Sequence, residues 1–286
     1  MTLTSILLGL LLEHFYDQWH RFRRYDHFHA FVDWVRARLP AAAAGGYELA
    51  AVLLPPLVAV ALLQGVLDDL LWGLPALAFA VAVLVFCLGP EDIFSEVERY
   101  RQALLAGDEE GRKEAATAIL GCAPPGDADE EAARVTEAVL AGANGRIFGV
   151  LFWFILLGPL GAVGYRAVKE LERNLLPGDD AFAQWVWRLE AVLDWLPARL
   201  LAAAYVLSGH FDEARARWRN HMAADNAVWD AAGLLAEVGL GAIDGVTRAD
   251  SQGWADQLHR ASRIIWRSLV IWVFLIALAT LAEWFS

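Results

Sequence analysis

The chain has 286 residues, of which 58% are hydrophobic and 20% charged, with a mean hydropathy of +0.40 and a formal net charge of −12. An ordinary soluble domain is about 45–50% apolar and about 25% charged, so this composition leans toward lipid and is too apolar for a disordered chain. The negative balance excludes a protein that relies on cationic contacts with phosphates, and no nucleic-acid partner is expected.

Lysine chemistry is narrowly constrained. Only Lys113 and Lys169 are present, neither in a phosphate-loop pattern nor in an apolar neighbourhood suited to a Schiff base. Cys87 and Cys122 form no zinc or disulfide framework. No metal site and no cofactor are expected.

The N-terminus, MTLTSILLGLLLEHF, is apolar for about ten residues but lacks a basic start and a cleavage site, so it reads neither as a secretory signal nor as a span. Residues 1–46 centre on one aromatic, amphipathic helix at 12–38, suited to lying in the headgroup layer. Four of its histidines, His14, His20, His27 and His29, invite a metal reading. At about 100° per residue His20 and His27 share a face while His29 points nearly opposite, so one helix cannot present all four.

Four segments read as membrane spans: 50–66 (with Pro55 and Pro56), 70–88, 148–165 and 268–285. Trp266 and Trp284 flank the last as interfacial anchors. A fifth segment, 195–209, is apolar but short and carries Arg199, so it is inserted, re-entrant or a soluble core helix. Basic residues bear on the choice. Without the fifth insertion they divide 11 against 12 across the membrane; with it they divide 18 against four, with a cytoplasmic N-terminus. The connecting regions, 90–143 and 210–263, read as cytosol-facing helices: 93–120 and 130–141 around a GCAPPGDAD loop, then 212–243 and 252–263. The fold class is therefore an all-α polytopic membrane protein with amphipathic helices outside the bilayer.

Three constellations carry candidate chemistry. Asn144 and Arg146 precede the third span, where they either bind an anionic group or simply anchor it. Asp194 and Pro197 look like the cap and first turn of a helix that holds Arg199, and Arg199 is either functional or half of a structural pair. Asp225, Asn226 and Asp230 precede a small-residue helix and at the least cap it.

The strings EHFYDQWHRF, NGRIFGVLFWFILLGPLG, VLDWLPARL and LSGH resemble the AmpE family of inner-membrane proteins, in order and spacing. GPLGAVGYRAV, DWLPARL and DNAVWDAAGLLAEVGLGA are similar, more remotely, to the CobD/CbiB cobalamin-biosynthesis membrane proteins, which join an amine to a corrinoid acid. Those ligases resemble one another in an acidic Glu-Asn-x-x-Asp-Gly stretch. Here the matching residues run from Ala141 to Arg146 and lack both carboxylates, which argues against ligation.

The resemblance implies a regulatory or accessory inner-membrane protein, linked to cell-wall recycling and β-lactamase induction. It would bind a small anionic or amide-bearing ligand, or an envelope or cell-wall-recycling protein, at the cytoplasmic mouth. The expected binding residues are Asn144, Arg146, Asp194, Arg199 and Asn226, with Glu13 as a partner from the N-terminal helix. The alternatives are a membrane ligase or synthase and a structural scaffold. Small-residue runs at 158–164 and 202–204 permit homo-oligomer packing.

Overall fold

The computed structural model describes residues 25–39, 45–68, 74–88, 93–175, 181–224, 227–243 and 250–285, and every regular element among them is helical. In chain order these are α1 (Asp26–Arg38), α2 (Gly46–Asp68), α3 (Leu74–Cys87), α4 (Ile93–Ala106), α5 (Glu109–Leu120) and α6 (Ala128–Ala143). A π-helical turn (Asn144–Phe148) leads into α7 (Gly149–Leu157), α8 (Pro159–Asn174), α9 (Ala181–Ser208), α10 (Phe211–Met222), α11 (Ala231–Ala242) and α12 (Ser251–Phe285). The helices divide into two compact units, one built from 1–90 and 149–193, the other from 91–148 and 194–286.

Four stretches are long and apolar enough to cross a membrane: Gly46–Leu67, Ala128–Leu157, Ala181–Ser208 and Ser251–Leu278. This is a membrane protein, with a lipid bilayer as its solvent. The contested 195–209 segment forms, up to Ser208, the C-terminal half of a 28-residue helix. The expected 70–88 segment forms α3, which at 14 residues reaches about 21 Å.

In the first unit, α1, α2, α8 and the start of α9 share a core of Val32, Val35, Leu49, Val52, Val168, Leu171, Phe182 and Val186. The expected single crossing at 148–165 is instead a helical hairpin. Gly158 takes φ +66°, a conformation glycine adopts without strain, and Pro159 starts the next helix with its fixed φ. The chain then folds back so tightly that a Cβ on Gly161 would overlap the Trp153 carbonyl. The hairpin tip lies at Gln64 of α2. The 18-to-four division of basic residues presupposed a crossing here and no longer follows.

Asp194 and Pro197 do not start a helix either. α9 runs through both, with Pro197 in its interior. Pro197 has no N–H for the carbonyl of Leu193 one turn earlier. The indole N–H of Trp153 donates to that carbonyl at 3.2 Å and fills the gap.

In the second unit, Leu140, Leu201, Tyr205, Leu234, Leu258 and Ile265 are fully or almost fully buried. The expected 93–120 helix is broken at Gly107 (φ +68°), and Asp108 caps α5 by accepting from the Gly111 N–H at 3.0 Å. Asp230 caps α11 through Gly233 at 2.8 Å, as its position suggested. The expected 252–263 and 268–285 segments join in one 35-residue helix, because no Pro or Gly stands at the junction 264–267.

Candidate functional site

The site grows from α6, whose buried face is Glu131, Ala132, Val135, Thr136, Val139, Leu140 and Ala143, the three- and four-residue repeat of one helical stripe. At its end the ladder shifts register. The Asn144 N–H turns to the Ala141 carbonyl, and the Leu140 carbonyl accepts the buried Tyr205 hydroxyl at 2.9 Å. Single π turns inside helices are frequent at functional places. This one carries Asn144, which is 2% exposed, and neither its carboxamide oxygen nor its nitrogen has a hydrogen-bond partner among the described residues.

Two residues on, Arg146 donates to Glu96 of α4, whose carboxylate is buried while the arginine keeps 21% of its side chain accessible. The guanidinium thus sits between a buried acid and the surface. At the start of α6, the buried Glu131 accepts from the Tyr100 hydroxyl at 2.9 Å and faces the Arg112 Nε at 3.4 Å. Burial, reinforced by the Glu131 charge, pushes the Tyr100 phenol above its usual range and keeps it a donor.

Of the other expected residues, the structure describes Asp194 and Arg199. Asp194 is buried in mid-helix. Arg199 donates to the carbonyls of Trp195 and Val228, each at 2.8 Å, and its guanidinium stacks 4.3 Å from the Trp195 ring centre. No hydrogen bond or ion pair joins Asn144, Arg146 and Arg199 to one another among the described residues. Glu13, Asn226, Asp225, His14 and His20 lie outside the described residues. His29 lies 3.1 Å from Asn174 and 3.8 Å from Glu170, a local contact on α8.

Glu96, Tyr100, Arg112 and Glu131 were not anticipated. The sequence held a signal: Glu96 falls on the same stripe as Ile93, Val97, Tyr100 and Leu104, and Glu131 on that of Ala132, Val135 and Val139. A carboxylate on an apolar stripe requires a cationic or hydroxyl partner.

The family model described as "Regulatory signalling modulator protein AmpE" matches residues 1–234. This chain belongs to the AmpE family. It is 27% identical over 238 residues to Protein AmpE of Shigella flexneri, covering 76% of this chain and 78% of that protein. It is also similar to cobalamin biosynthesis protein CobD of Chromobacterium violaceum (31% over 193 residues, 64% of this chain and 62% of that one) and of Stutzerimonas stutzeri (29% over 210 residues, 71% and 66%). The match spans less than two thirds of the length of either CobD relative. No solved structure matches this chain.

Proposed function

We propose that this AmpE-family protein is a regulatory or accessory component of the inner membrane, linked to cell-wall recycling and β-lactamase induction. Its π turn receives a small anionic or amide-bearing ligand, or a protein partner, at the cytoplasmic mouth. The observation that carries this reading is Asn144: a carboxamide with two donors and an acceptor, held in a buried π turn and unused by the fold. A buried polar atom left unmade costs about 1–3 kcal/mol, a cost met where a group serves something other than folding. Arg146, two residues away and partly accessible, supplies a charge that pairs a carboxylate or phosphate arriving from the surface.

The N-terminus faces the cytoplasm in this reading.

The test is thermal unfolding of the purified protein in detergent with soluble muropeptides, which carry both carboxylates and amides. A raised midpoint that Asn144→Leu abolishes is the expected result. No shift with any fragment, together with normal β-lactamase induction in cells carrying Asn144→Leu at normal protein level, refutes the proposal. The similarity to CobD favours one second reading, a membrane ligase joining an amine to an acid. Formation of an amide product by the purified protein would establish it; the absent carboxylates at Ala141 and Gly145 predict none.

A further inference from the structure

The second unit holds another feature that the AmpE relationship does not assign. Three arginines on α12, Arg260, Arg263 and Arg267, recur at steps of three and four and so share one helical face. They line a pocket of about 320 Å³ with Ser208, His210 and Ile243. Its far wall exists because the ends of α9 and α11 meet closely. The His210 N–H donates to the Ala242 carbonyl at 2.9 Å, and at Gly209 a side chain would overlap that same carbonyl. Arg267 is engaged with the Ser208 carbonyl at 3.2 Å. Among the described residues, Arg263 makes no hydrogen bond or ion pair and no carboxylate lines the pocket.

The pocket does not end in polar surface. Ser208, Arg263 and Arg267 also border a second, open groove of about 610 Å³, whose remaining walls are Trp266, Val270 and Ile271. That groove runs down α12 where the helix becomes apolar, and Trp266, Val270 and Phe274 there are more than half exposed. In a membrane protein this exposed apolar face lies against acyl chains, and a tryptophan at its start marks the headgroup level.

We propose that this two-part cleft binds an anionic phospholipid of the surrounding bilayer, its phosphate among the three arginines and one acyl chain along Trp266, Val270 and Ile271. Charge and shape both select that occupant. The guanidiniums of Arg263 and Arg267, with no acid among the described lining residues, match a phosphate diester, and the apolar groove that opens from the same arginines matches the chain attached to it. A soluble phosphate would leave the groove empty, and a zwitterionic lipid would bring a cation to the arginines.

The test is thermal unfolding and native mass spectrometry of the full chain in mild detergent, titrated separately with phosphatidylglycerol, phosphatidylcholine and inorganic phosphate. Phosphatidylglycerol should raise the midpoint and remain bound, and the other two should not. Arg263→Gln should weaken phosphatidylglycerol binding about five- to tenfold, and Val270→Trp, which fills the groove without touching a charge, should weaken it too. Arg263→Lys should restore part of the affinity, showing that charge rather than packing is lost. Equal binding of phosphatidylcholine overturns the proposal. So does equal stabilisation by inorganic phosphate, which would make this a soluble-anion site. Unchanged phosphatidylglycerol affinity in Arg263→Gln, with the variant folded, overturns it as well.

Discussion

Each unit contains a place where a helix departs from regularity, and the two departures are treated differently. In the first unit, the Leu193 carbonyl has no donor one turn on, where the chain has a proline, and the Trp153 indole replaces it. In the second, the π turn at 144–148 offers its spare Leu140 carbonyl to Tyr205, yet leaves the Asn144 carboxamide buried with nothing. Neighbouring buried charges there are paired: Arg146 with Glu96, and Arg112 and Tyr100 with Glu131. The unit engages each of these buried carboxylates through one oxygen, and leaves both polar atoms of the Asn144 amide without a partner among the described residues. The difference separates groups that hold the fold from a group that the fold holds.

That contrast can be broken in several places. The largest effect is expected at Glu131, which is fully buried. Glu131→Ala strands Arg112 and the Tyr100 hydroxyl, and should cost about 3–5 kcal/mol in unfolding experiments; a loss below about 1 kcal/mol would mean that this network is not structural. Next comes Gly161→Ala, whose methyl meets the Trp153 backbone. Overpacking of this kind costs about 1–3 kcal/mol, read as a lowered unfolding midpoint in detergent; an unchanged midpoint would mean that the hairpin tolerates a side chain there. Trp153→Phe keeps the ring but removes the donor to Leu193, with an expected cost of about 1–2 kcal/mol; no change would show that the Pro197 gap needs no filling.

How much of this was legible beforehand depends on what each residue answers to. Helix-forming apolar segments and the Asp230 cap follow from local chemistry, and the all-α membrane fold was readable from them. Gly158–Pro159 was visible as a dipeptide, but whether it kinks a span or reverses it depends on Gly161 allowing backbone contact with Trp153. Asp194 and Pro197 imitate a helix start, and tertiary contact with Trp153 lets the helix run on instead. Asn144 and Arg146 were singled out from the resemblance and their place before an apolar run. Arg146's partner, Glu96, lies 50 residues away and could be inferred only from a carboxylate on a buried stripe.

The smallest effect concerns Glu98, which Arg101 and Gln102 hydrogen-bond and whose pKa falls from 4.5 to about 2, chiefly through Arg101. A lowered carboxyl pKa stabilises the fold above about 4.5, and that contribution fades as the pH falls through about 2. With 45% of the Glu98 side chain exposed, solvent screening keeps the pair below about 1 kcal/mol. Glu98→Gln should therefore flatten the acid limb of stability only slightly; a large loss would make this surface pair structural.

The most direct test of the central claim is the unfolding midpoint of Asn144→Leu without any ligand, beside the unsubstituted protein in the same detergent. If the carboxamide is idle in the fold, a leucine of similar size removes two unsatisfied buried atoms, and the midpoint stays level or rises. A fall of several degrees would mean that Asn144 holds the π turn together, and would contradict its assignment to a ligand.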